Sequence, residues 1–329
     1  MNTLRPPRIP HPAAQARGFT LVELLVAMGL SVLMAMAAVA ALTVARQGFT
    51  VVDASSQLRD NGRYAADTLN RLAVQAGFER VIFAVTEPKN EVGVTTNPPP
   101  SVQGVDNAYA SATDPLNNYT TRTSGSTSYG SDILILRYQA EETFPGSGVN
   151  DRTMIDCMGK PAKGAWSPND RYDRIDSVLY VSDSGGEPAL MCNTTNVDGK
   201  PVPQPLVQGV EIFQVLYGVD GVTPNAAPSA SLPAPIRPER FLRASQMVVA
   251  GDEAATNANW QRVRSIRIGM VLRGPVGSAQ QRVAQTLYPF GSAAMSSSSD
   301  PGTVFNAPAD GRLRQTVTFT IQLRNDQRL

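Results

Sequence analysis

Histidine is all but missing from this chain. The only one, His11, lies in a basic stretch ahead of the first long apolar run. If that stretch, Met1 to Gly18, is removed as a leader, the mature chain has none. Ser-His and Cys-His nucleophile pairs and His-ligated metals are then excluded, and with them most hydrolytic chemistry. A phosphate-cradling glycine loop of the P-loop type is lacking too. The Ser- and Thr-rich loops offer hydroxyls but no base to activate one. Charge is also scarce, at 17% of residues against roughly 25% in typical soluble domains. The formal net charge is +1, and loss of the leader takes Arg5, Arg8 and Arg17 with no acid. No global basic field remains, so nucleic acid is not expected as a partner. Cysteine is limited to Cys157 and Cys192. One pair in an exported domain suits a disulfide, for which a loop of about 35 residues implies roughly 3–4 kcal/mol in the chain-entropy treatment. The alternative is two unrelated buried thiols.

What is present begins with an apolar run. From Phe19 to Ala45 only Glu23 carries a side-chain charge. As an α-helix, these roughly 27 residues reach about 40 Å, enough to cross a hydrocarbon core of about 30 Å. Basic residues precede the run and acidic ones do not, which keeps the leader cytoplasmic and places the bulk of the chain in the periplasm. A conventional secretory signal puts its apolar region before the cleavage site. Here the Gly18-Phe19 junction precedes it, so a cut there leaves the helix on the mature protein. The rival cut, near Ala38-Val39-Ala40, would release a soluble product. A carboxylate early in the run argues against that rival, and an intramembrane ionisable group is a functional candidate by default.

The stretch Gly18-Phe19-Thr20-Leu21-Val22-Glu23 resembles the type IV prepilin signature residue by residue. The resemblance implies cleavage between Gly18 and Phe19 by a prepilin peptidase, methylation of the new Phe19 amine, and use of Glu23 in assembly. The expected organisation is a leader over 1–18, a transmembrane and assembly helix over 19–45, an amphipathic continuation over 46–78, and a periplasmic β-rich domain over 79–329. In the continuation, Val51, Leu58, Ala65, Leu69, Leu72 and Ala76 form one apolar stripe, and Gly77 is the expected stop. One helix to Ala76 would be roughly 85 Å long.

Thr86 to Ser131 reads as loop. Strand patterns follow at Ile133–Tyr138, Val178–Val181, Leu206–Val219, Val263–Leu272 and Val317–Leu323, as in an antiparallel sheet with one wet face. The expected fold class is α+β, a long membrane-spanning helix packed on an antiparallel β domain. Arg262, Arg264, Arg267 and Arg273 are expected on an exposed sheet face, and Glu141-Glu142 as solvated charge. Tyr109, Tyr119 and Tyr129 read as loop packing, with an adhesive surface as the alternative.

Leu58 to Ala65, Asp156-Cys157-Met158-Gly159, Leu190-Met191-Cys192, Pro205 to Glu211, Val215 to Asp220, Trp260 with Val263 to Arg273, and Leu323-Arg324-Asn325 resemble, in order, the minor pilins of the PilW type. That resemblance implies a structural subunit that primes or joins a type IV pilus, moving from the inner membrane to the fibre. Its implied partners are other minor pilins and pilus subunits, prepilin peptidase, the inner-membrane assembly platform and, as a further candidate, a tip adhesin. Two departures stand out. Ala40 replaces a mid-helix proline common in pilins, leaving Gly29 as the obvious weak point. After Asp220 the chain runs Gly221-Val222-Thr223-Pro224-Asn225, poor in hard oxygen ligands, so no metal or other cofactor is expected. A type II secretion pseudopilin and a membrane-anchored enzyme are the competing readings.

Overall fold

The computed structural model describes residues 18–78, 99–144, 146–161, 174–194, 203–229 and 237–325. The leader residues ahead of Gly18, and the part of the expected loop from Thr86 to Pro98, lie outside these. Two compact units are present, one ending at Thr50 and one running from Val51. Helix α1, Leu21–Gln75, is continuous through both.

Within the first unit the helix is apolar and exposed all round, from Leu21 to Val44. Its few hydroxyls return to its own backbone: Ser31 Oγ donates to the Met28 carbonyl and Thr43 Oγ1 to that of Ala40, both at 2.8 Å. Such a segment exposes few unsatisfied polar groups to a lipid phase. In the second unit α1 becomes one-sided. Ala54, Leu58, Gly62, Ala65, Leu69, Leu72 and Ala73 are buried, the expected stripe with Val51 only half-buried. Gly77 ends the helix at φ 76°, and its N–H donates to the Arg137 carbonyl at 2.9 Å.

The strands are β1 (Val102–Val105), β2 (Ala108–Ala110), β3 (Tyr119–Thr121), β4 (Ile133–Tyr138), β5 (Ile175–Ser184), β6 (Glu187–Asn193), β7 (Gln204–Gln208), β8 (Val210–Val219) and β9 (Arg240–Leu242). Two short helices follow, α2 (Ala244–Met247) and α3 (Glu253–Trp260), then β10 (Val263–Arg273), β11 (Gln285–Leu287), β12 (Phe305–Ala307) and β13 (Arg314–Gln322). A five-stranded sheet runs β1-β4-β5-β6-β7 and a four-stranded sheet β13-β10-β8-β9, with β2-β3 and β11-β12 as separate pairs. Every pairing is antiparallel. The α+β expectation therefore holds, with two sheets in place of one.

Leu58, Ala65, Leu69 and Leu72 pack in one core with Leu134, Leu179 and Leu190 of the first sheet and Phe213, Ile268 and Ile321 of the second. The stretch expected as one strand, Leu206–Val219, is divided by Gly209 at φ 81°, so β7 and β8 join different sheets. A Cβ at Gly209 would meet the Arg273 carbonyl oxygen at 2.6 Å, and only glycine combines that φ with so close an approach.

The wet face is the main correction. On the five-stranded sheet, Ile133, Ile135, Val178 and Tyr180 face a second core closed by Ala108, Ala110, Leu116 and Tyr119. The cover is the β2-β3 pair, from the stretch read as loop. On the four-stranded sheet, a Cβ at Gly269 would meet Pro289 at 2.6 Å, so the segment around Pro289 lies directly on that strand. Arg262, Arg264, Arg267 and Arg273 are accordingly half-buried rather than exposed.

Candidate assembly site

The start of α1 explains why Glu23 sits where it does. Thr20 precedes the first helical residue, and Glu23 is the third within it. Thr20 Oγ1 accepts from the Glu23 N–H at 3.2 Å, and Glu23 Oε2 accepts from the Thr20 N–H at 3.0 Å. This reciprocal capping box satisfies two donors that a helix start would otherwise leave orphaned. Thr20 Oγ1 also donates to Glu23 Oε2 at 3.0 Å. One carboxylate oxygen thus takes the local donors, and Glu23 Oε1 has no hydrogen-bond partner among the described residues. The pattern Thr-x-x-Glu carries this role in the sequence, where Thr20 was not singled out. Phe19 lies one residue ahead of the cap and is 88% exposed. Gly18, Phe19 and Glu23 are thereby gathered at one helix end, with the cleavage candidate just outside the capped turn.

The other end of α1 is held by residues remote in sequence. Asn325 Nδ2 donates to the carbonyls of Val74, Gln75 and Ala76 at 3.2, 3.4 and 3.1 Å. Gln75 Oε1 accepts from the Ile155 N–H at 2.9 Å. Cys157 and Cys192 form a disulfide with a Cα–Cα distance of 5.8 Å, tying the turn around Asp156 to β6. Asp156 Oδ1 shapes that turn by accepting from the N–H groups of Met158 and Lys160 at 2.8 and 2.9 Å. Both cysteines lie in the main core, and the bond between them sets aside the alternative of two unrelated buried thiols.

The charge between the two sheets is structural. Arg273 contacts Glu187 and Glu211 at 2.8 and 3.1 Å, Arg312 contacts Glu187 at 2.8 Å, and Arg314 contacts Glu211 and Asp310 at 2.6 and 2.7 Å. Burial works to raise the Glu187 carboxyl, but hydrogen bonds from Arg312 and Arg273 hold it below the usual carboxylate range. A hydrogen bond from Arg314 brings Asp310 down to about 2. The network joins the two sheets and borders a cleft of about 240 Å³ that also meets Gln57 and Asn61 of α1. Arg267 lies over the Phe241 ring at 5.1 Å. Glu142 is buried, accepting from the Gly146 and Gly148 N–H groups at 2.7 and 3.2 Å, and is not solvated charge.

The family described as Type IV Pilus-assembly protein W matches residues 178–325, and the Prokaryotic N-terminal methylation motif matches residues 14–39. The chain thus carries PilW-family sequence over its C-terminal β domain and a prepilin methylation segment at its N-terminus. Both matches are to structural, pilin-class sequence and neither is to an enzyme family. The two matches imply association with pilus machinery and prepilin peptidase, and an inner-membrane stage before incorporation. A type IV-like pilin from Thermus thermophilus aligns at 16% identity over 82% of this chain and 98% of its own, with a TM-score of 0.39. No curated protein matches the chain.

Proposed function

We propose that this chain is a minor pilin that primes or joins a type IV pilus with other minor pilins. In this reading the leader is cut between Gly18 and Phe19, and the new Phe19 amine is methylated. The observation that carries the proposal is the helix start. A capped turn presents one open carboxylate oxygen of Glu23 beside the junction, at the head of an apolar helix exposed on every side. In a bundle of parallel helices, the amine of a neighbouring subunit meets that oxygen when the two are staggered axially. An unpaired charge opposes docking in an apolar bundle, so the pair selects the correct stagger more than it adds affinity. The PilW match over residues 178–325 supports the pilus over a type II secretion apparatus.

The test is a chromosomal Glu23→Ala strain at matched protein level. Membrane-extracted protein is expected to begin at Phe19 in both strains, with the disulfide-bonded domain intact. Co-purification with other pilins, or pilus number, is expected to fall in the variant. Normal complexes and normal piliation would reject the role of Glu23, and a start near Ala41 would reject the processing.

A further inference from the structure

Arg122 stands apart from the other buried cations. It is only 7% exposed, yet no carboxylate among the described residues pairs with it. Its partners are backbone carbonyls. Nε donates to Ala108 and Ser131 at 3.1 and 3.3 Å, Nη1 to Thr127 at 3.1 Å, and Nη2 to Val181. A guanidinium has five N–H donors. These contacts leave one N–H on each terminal nitrogen. The Asp132 carboxylate acts on Arg122 only at a distance, and its two oxygens are taken by the N–H groups of Asn107 and Val215 at 2.9 and 2.8 Å. Arg273 and Arg312, beside the other cleft, are by contrast paired with Glu187 and Glu211. A desolvated charge without a counter-ion is costly.

Arg122 forms the base of an open pocket of about 240 Å³. The Tyr109 ring, 41% exposed, makes one wall, with the guanidinium carbon 5.6 Å from its centroid. Ser126, Thr127, Ser128, Val181 and Ser182 line the rest, and no hydrogen bond engages the four hydroxyls among the described residues. Asp183 stands at the exposed rim, with Oδ1 accepting from the Gly186 N–H at 3.0 Å. Its charge disfavours a bare inorganic anion but suits a ligand with hydroxyl donors.

We propose that this pocket binds an acidic sugar unit. The oxyanion of the sugar, a carboxylate or a phosphate ester, sits on the two spare N–H groups of Arg122. The ring lies against Tyr109, and its hydroxyls bond the Ser and Thr hydroxyls and Asp183. Each part of the ligand answers one feature of the site: charge for the unpaired cation, a flat apolar face for the tyrosine ring, and polar periphery for the idle hydroxyls. The site is independent of the helix-start reading, since no residue is shared.

The test is calorimetric titration of the full mature chain in detergent micelles with glucuronate, glucose 6-phosphate, inorganic phosphate and glucose. At least one of the two acidic sugars is expected to bind saturably, and at least tenfold more tightly than glucose or inorganic phosphate. Glucuronate ahead of glucose 6-phosphate assigns a carboxylate, and the reverse order a phosphate ester. Tyr109→Ala is expected to weaken binding at least fivefold with an unchanged melting temperature. Because Arg122→Gln can fail to fold, Ser182→Glu is the second variant. It supplies a carboxylate in cis, and should abolish sugar-acid binding while raising the melting temperature. Absence of saturable binding, equal affinity for glucose or inorganic phosphate, or unaltered binding in Ser182→Glu would overturn the proposal.

Discussion

Asp300 shows how a single carboxyl ties stability to pH. Burial pushes it up to about 6, with Arg243 pulling down and Asp106 adding to the rise. Its nearest cation, Arg243, is 3.8 Å away. A folded value above the ordinary one means that folding takes up a proton. Its contribution is fully present below about pH 4 and is lost as pH rises through 6. Asp132, fully buried and also raised, acts in the same direction. The denaturant midpoint of the wild type is therefore expected to fall between pH 5 and 7.5. Asp300→Asn should flatten that fall and be the more stable protein at pH 7.5, and parallel curves for the two would refute the assignment. At this scale sequence legibility is uneven. Thr20 and Glu23 form a local pattern, Thr-x-x-Glu, that any reading can find. Asn325 cannot be read that way, because its partners on α1 lie about 250 positions earlier. Arg267 and Arg273 alternate with apolar neighbours as surface residues do. What buries them is Phe241 in one case and Glu187 with Glu211 in the other, none of it visible in β10 itself.

Among the elements, the β7-β8 junction decides how two sheets share one core. Gly209→Ala would place a Cβ 2.6 Å from the Arg273 carbonyl at φ 81°. Gly159→Ala is the matched control, since its φ of 74° is similar but nothing lies within 4 Å. Both should destabilise through the backbone, by about 1 kcal/mol or more. Gly209→Ala should lose clearly more in chemical denaturation, and equal losses would dismiss the close approach as a constraint. β10 and β13 are legible because apolar and polar residues alternate over six or more positions, whereas β5 is legible only at Val178–Val181, since burial on both faces removes the alternation from Ile175 to Val181. β6 was missed although Gly185-Gly186 turns the chain between Ser184 and Glu187, a hairpin signal of known type. β2 and β3 have three residues each, and the cover is built from Ala108 and Ala110. Small side chains in so short a strand leave no periodicity to detect. The helix and its stop at Gly77 were legible throughout, because their signals are local.

For the whole molecule, the position of the disulfide carries a mechanical consequence. On the proposed reading the chain is a fibre subunit loaded in tension, and a folded domain under tension fails by paying out contour length. The Cys157–Cys192 bond closes a loop of 35 residues in sequence separation. Oxidised, that loop cannot extend. Reduced, it can add up to about 120 Å, taking roughly 3.4 Å per residue. Single-molecule pulling of the full chain between its ends should show a longer total unfolding extension, by about that amount, after reduction or in Cys157→Ser/Cys192→Ser. An unchanged extension would mean the bond is absent from the working protein. In a fibre the bond would act as a strain limiter, capping how far the subunit can lengthen before load passes to its neighbours.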